Sequence, residues 1–128
     1  MTVLLDAHAF LWFIMGSPKL SDKARFLIEE QTQQKIVSIA TLWEIAIKHS
    51  LGRLTLKAPF GQVVSQQLTL NGFEVLEIGV KHLDTLVALP FHHRDPFDRL
   101  LIAQAAYEQF PIVSADAAFD SYDISQIW

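Results

Sequence analysis

The stretch Ile36-Val37-Ser38-Ile39-Ala40-Thr41-Leu42-Trp43-Glu44-Ile45-Ala46-Ile47-Lys48 changes its period part-way along. Ile36 to Ile39 is a short β-branched run of strand type. Ser38 or Thr41 then stands where a helix cap belongs, ahead of an apolar helical segment reaching about Leu51. The same alternation extends outward in both directions. Strand-like runs recur at Val3-Leu4-Leu5, Phe73 to Ile78, Pro111 to Ser114 and Ile124 to Trp128. Between them lie helix-period segments: Ala9 to Ile14, Ser21 to about Gln33, Pro59 to about Leu70, Gly79 to Leu89 and, longest, Pro96 to Gln109. Strands alternating with helices predict an α/β layer fold with a mostly parallel sheet.

Composition bounds the rest. A chain of 128 residues, 51% hydrophobic, with no internal repeat or long Pro/Gly/Ser linker, reads as one domain, residues 1–128, and excludes disorder. With no cysteine there is no disulfide framework, thiolate metal site or cysteine nucleophile. The N-terminus lacks the basic flank of an export signal. The apolar stretch Ala9 to Met15 is far short of the roughly 20 residues of a spanning helix, so a soluble, cytoplasmic protein without membrane association is expected. Fourteen Asp and Glu against ten Lys and Arg, net −4, argue at first against a basic nucleic-acid-binding module.

In open α/β sheets ligands bind beyond the carboxyl ends of the strands, near the switch in strand order, so acids placed there carry most information. Asp6 follows the first strand directly, where it can equally cap the next helix. Glu44 sits inside a helix apolar almost all round. Burial there would cost several kcal/mol unless the carboxylate is paired or bound to a cation, and an i,i+4 pair with Lys48 is worth only about 0.3–0.5 kcal/mol. Asp98 opens an apolar helix; Asp95, before Pro96, has the position of its cap. Asp116 follows the fourth strand, where a turn role is the plain alternative. Taken together, Asp6, Glu44, Asp98 and Asp116 could converge on one edge of the sheet. Carboxylates that close repel one another, and a hard divalent cation resolves the conflict, so the cluster suggests Mg²⁺ or Mn²⁺ and phosphoryl chemistry.

These positions and their surroundings resemble PIN-domain ribonucleases, specifically the VapC-type toxins of bacterial toxin–antitoxin pairs. The likeness rests on Leu4-Leu5-Asp6-Ala7-His8-Ala9-Phe10-Leu11-Trp12, Ser38 to Lys48, His92-His93-Arg94-Asp95-Pro96-Phe97-Asp98-Arg99-Leu100-Leu101-Ile102-Ala103-Gln104-Ala105 and Val113-Ser114-Ala115-Asp116-Ala117-Ala118-Phe119. It implies a parallel sheet of about five strands between helices. It also implies an acidic quartet around Mg²⁺ or Mn²⁺: Asp6 and Asp98 as direct ligands, Glu44 and Asp116 bound directly or through water, and Asp95 near enough to be a fifth acid. An RNA substrate, a cognate antitoxin that covers the site and a homodimer are further implications. The sequence departs from the family at Ala7, where many members carry a hydroxyl residue, and His8 follows.

The expected chemistry is in-line hydrolysis of a phosphodiester by one or two ions, about 3.5–4 Å apart if two, without a catalytic histidine. Adjacent His92 and His93 read as loop residues rather than zinc ligands. Arg94 and Arg99 are candidate contacts to RNA phosphate or an antitoxin carboxylate. Trp12, Phe13 and Trp43 read as core or dimer interface rather than base-stacking platforms. The competing reading is a phosphorylatable receiver module, which requires a lysine ending the last strand; Ile124 to Trp128 has none. A PIN-like domain retained only for binding is the third. Two divalent ions at the quartet would bring the formal charge from −4 to zero, so charge distribution matters more than net charge, and RNA affinity without metal should be weak.

Overall fold

In the computed structural model, which describes residues 1–31, 34–92 and 95–128, β1 (Thr2–Leu5) lies at the centre of the sheet. Val3, Leu4 and Leu5 are all fully buried. The period of two divides them: Val3 and Leu5 join one core with Val37 and Val113, while Leu4 joins the other with Ile36 and Ile112. A strand covered on both faces has no solvent side, and the run is therefore continuously apolar.

The chain continues through α1 (Ala7–Met15), α2 (Asp22–Phe26) and a π-helical turn (Leu27–Gln31) to β2 (Gln34–Ser38), then α3 (Ile39–Ser50), α4 (Phe60–Asn71) and β3 (Phe73–Leu76). After α5 (Val80–Ala88) and α6 (Pro96–Glu108) come β4 (Ile112–Val113), a 3₁₀ turn (Ala117–Ser121) and β5 (Gln126–Ile127). All pairings are parallel, in the order β3-β2-β1-β4-β5, the α/β class expected. β2 and β3 build outward on one side of β1, and β4 and β5 on the other. The strand order therefore reverses between β1 and β4.

Several boundaries differ from expectation. Ile39 opens α3 instead of ending β2, because Ser38 turns its hydroxyl onto the Ala40 N–H as the cap. The segment after Ser21 is α-helical only to Phe26; its expected end at Gln33 lies outside the described residues. β3 stops at Leu76, and β4 and β5 pair over two residues each. α3 is not buried all round. Ala40, Thr41, Leu42 and Ile45 face the protein, whereas Ile39 and Trp43 are exposed, since hydropathy alone does not say which faces find a neighbour. Among the described residues, no helix is long and apolar enough to cross a membrane.

Buried polar links hold the helices to the sheet. The Ser38 hydroxyl donates to Gln104 Oε1 at 2.5 Å, and Gln104 Nε2 donates to the Glu77 carbonyl at 3.2 Å, tying α6 to the ends of β2 and β3. His82 accepts from the Gly79 N–H on Nδ1, which leaves Nε2 as donor to Glu108 at 3.0 Å and joins α5 to α6.

Candidate active site

Parallel pairing of Leu5 with Val113 carries β1 and β4 to the same end of the sheet, so the residues that follow each strand emerge side by side at the reversal. Asp6 leaves β1 and caps α1, accepting from the Ala9 N–H at 2.8 Å; it is 6% exposed. Ser114 leaves β4 fully buried. Its hydroxyl donates to Asp6 and accepts from the Asp116 N–H at 3.0 Å. Asp116, exposed, caps the 3₁₀ turn through the Ala118 N–H at 2.9 Å. Asp95 caps α6 by accepting from the Phe97 and Asp98 N–H groups at 2.8 and 3.1 Å, which places Asp98 in the first helical turn. From the second turn of α3, Glu44 meets Lys48 Nζ at 3.0 Å.

Asp6, Glu44, Asp95, Asp98 and Asp116 line one cleft of about 320 Å³ with Ala7, His8 and Lys48. Their fields overlap. Burial pushes the Asp98 carboxyl up to about 7, reinforced by Asp95, Glu44, Asp116 and Asp6 in that order. Burial also raises Asp6, against the opposing hydrogen bonds from Ser114 and the Ala9 N–H. A larger groove of about 720 Å³ between α6 and the segment 121–125 contains a single carboxylate, Asp123. Chemistry that needs several charges belongs to the smaller cleft.

The donor set is oxygen-rich and carries excess negative charge, which suits a hard divalent cation. Among the described residues, no three His, Asp or Glu groups stand as a ready-made ligand cage. An open carboxylate cleft fits Mg²⁺, which keeps several of its waters and takes only one or two protein carboxylates.

The PIN-domain family model matches residues 3–125. The chain belongs to the PIN-domain family. No curated protein matches it in sequence. Among solved structures, this PIN domain is similar to a chain of VapBC2 from Rickettsia felis bound to a DNA fragment from its promoter, with 14% identity, a TM-score of 0.72, and 99% of this chain and 98% of that one covered. It is also similar to a chain of a toxin–antitoxin complex from Klebsiella pneumoniae, at 14% identity, TM-score 0.67 and 98% and 96% coverage. A chain of FitAcB from Neisseria gonorrhoeae gives 14%, 0.72, 98% and 96%. At such identities the likeness establishes the fold. Family membership and the absence of a lysine in β5 set the receiver reading aside.

Within this PIN domain, the cleft brings together all four quartet acids and Asp95, which therefore combines its capping role with a place at the site. Arg99 is a correction. It is 7% exposed, and its guanidinium donates to the carbonyls of Pro90 and Leu86 at 3.0 and 3.3 Å and to the Tyr122 hydroxyl at 3.3 Å. One residue beyond Asp98, it lies about 100° round the helix and faces α5 instead of the cleft. Arg94 and His93 lie outside the described residues. His92 is an exposed loop residue whose N–H donates to the Tyr122 hydroxyl. Phe13 packs on Phe73, and Trp12 stacks on His8, but Trp43 is 57% exposed with its ring edge-to-face on Phe97.

Lys48, which lines the cleft, and Ser114, buried behind Asp6, were not expected at the site. Lys48 does pair with Glu44, and the i+4 spacing that makes the pair also puts it on the same helical face and so in the same groove. Ser114 could be found from strand register: once Leu5 is paired with Val113, Ser114 is level with Asp6. Its hydroxyl serves Asp6 in a chain that lacks one at Ala7.

Proposed function

We propose that this PIN domain is a Mg²⁺- or Mn²⁺-dependent ribonuclease and the toxin of a toxin–antitoxin pair. The observation that carries the reading is the gathering of five carboxylates in one cleft at the strand-order reversal, where burial and mutual repulsion hold Asp98 protonated to about pH 7. Such an arrangement is costly without a cation and serviceable with one. Bound there, the ion would supply Lewis acidity, lowering the pKa of a coordinated water and stabilising charge on the scissile phosphate.

The protein's own residues bind and orient. Asp6 and Asp98 would be the ion's direct ligands. Asp6 is pre-positioned, its carboxylate fixed by Ala9 and Ser114. Glu44 and Asp116 hold the ion directly or through water, or orient the attacking water. Asp95 adds charge while its Oδ1 holds the start of α6 in place. A single-stranded RNA entering the cleft would present its phosphate to this charge-compensated floor. The similarity to chains solved in toxin–antitoxin complexes supports a protein antitoxin as partner; a homodimer acting in the cytoplasm is part of the same proposal.

Incubating the protein with RNA and Mg²⁺, with and without EDTA, tests the reading. Cleavage should require free divalent ion, and Asp98→Asn should reduce turnover by orders of magnitude while remaining folded. Near-normal cleavage by the folded variant would remove Asp98 from the site. Absence of metal-dependent cleavage of any RNA would leave a binding module instead.

A further inference from the structure

We propose that Lys48 is the residue that takes hold of an RNA phosphate at the cleft, exchanging Glu44 for the substrate. The proposal rests on the nuclease reading above and adds to it a substrate-binding group outside the acidic quartet. A polyanion approaching five carboxylates is repelled, so entry needs a cation at the mouth. Among the described residues that line the cleft, Lys48 supplies the sole ammonium or guanidinium. Arg99 is buried in contacts to Pro90, Leu86 and Tyr122, and Lys81 is held by Glu108 on the α5–α6 side.

Lys48 is placed for an exchange. Its Nζ lies 3.0 Å from Glu44 Oε2, and its side chain is 38% exposed against 17% for Glu44, so the lysine is the outer member of the pair. An i,i+4 pair whose lysine reaches solvent is held by a single contact, and the lysine can exchange that partner for another anion. With a divalent ion held by the acids, Glu44 would no longer need the Lys48 ammonium as its counter-charge. The four-carbon stem then lets Nζ swing toward solvent, where a phosphate is the strongest available acceptor. The same lysine thus restrains Glu44 in the metal-free protein and attracts RNA in the loaded one.

The two roles predict opposite effects of one substitution. Lys48→Met and Lys48→Arg in the full chain would be compared with wild type for Mn²⁺ binding by calorimetry without RNA. RNA binding would be read by anisotropy of a labelled unstructured RNA in Ca²⁺, at about 50 to 200 mM salt, with RNA integrity checked on a gel. Lys48→Met should bind Mn²⁺ about two- to fivefold more tightly, because a competing cation is gone. Its RNA affinity should fall about tenfold, with the log–log salt slope reduced by about 0.7. Lys48→Arg should keep RNA binding near wild type. An unchanged RNA affinity and slope in Lys48→Met, or Mn²⁺ binding that weakens instead, would overturn the proposal while leaving the nuclease reading in place. If wild type binds neither Mn²⁺ nor RNA, both fall together.

Discussion

Asp98 holds its proton to about pH 7, whereas the same group in the unfolded chain releases it near 3.8. Between those values the folded state binds more protons than the unfolded one, so the stability of the metal-free protein falls as pH rises and is lowest above 7. Asp98→Asn removes this penalty. After allowance for solvent in the open cleft, the gain is on the order of 1–2 kcal/mol, or ~3–8 °C in Tm at pH 8, and close to nothing at pH 4. Thermal melts in EDTA at the two pH values measure it; an equal shift at both would separate the effect from titration. Arg99 makes a contrasting case one position along. Arg99→Leu strands the Pro90 and Leu86 carbonyls and should cost about 2–3 kcal/mol in urea unfolding, with no specific loss of metal affinity in the folded protein. The acids at strand ends were readable in the sequence because strand polarity alone decides which end of the sheet they reach. The direction of Arg99 was not, since a single helical step separates a cleft-facing side chain from a buried one.

Among the elements, α3 and α6 carry Glu44 and Asp98, and the Ser38–Gln104 hydrogen bond joins the start of one to the body of the other. Ser38 does two things at once, capping α3 through Ala40 and meeting Gln104. Ser38→Ala should therefore lower stability by about 1–2 kcal/mol and leave the buried Gln104 carbonyl oxygen without its hydroxyl donor. Since α3 positions Glu44, the same variant should bind Mn²⁺ more weakly; calorimetry on folded protein checks this, and wild-type affinity would show that the cap only stabilises. The alternation of strand and helix was legible because periods of two and 3.6 differ over the lengths present. The shift to a π-helical turn at Leu27 was not, because Leu27 and Ile28 suit an α-helix equally well. The two-residue β4 and β5 look longer in sequence, because apolar residues beyond the pairing still pack against the core, as Ile124 does.

For the molecule as a whole, the distribution of charge matters more than its sum. The value of −4 describes a chain with five of its carboxylates facing one cleft. Filling that cleft with divalent cations should stabilise the fold by mass action, about 1.4 kcal/mol at an ion concentration ten times Kd. The Tm gain from Mg²⁺ should be large at pH 8 and vanish near pH 4, where protons occupy the same oxygens; a gain independent of pH would place the ion elsewhere. The order β3-β2-β1-β4-β5 is what makes the cleft, since it puts the ends of β1 and β4 side by side at the reversal. That order did not follow from the run of strands and helices, which fits several parallel sheets; the pairing register supplies it. Hydrolysis of RNA at these carboxylates through a divalent ion and an activated water, as proposed above, is distinguished from attack by the 2′-hydroxyl by the ends of the products. Fragments made in Mg²⁺ should carry 5′-phosphate and 3′-hydroxyl ends, and a 2′,3′-cyclic phosphate formed equally well in EDTA would contradict the account.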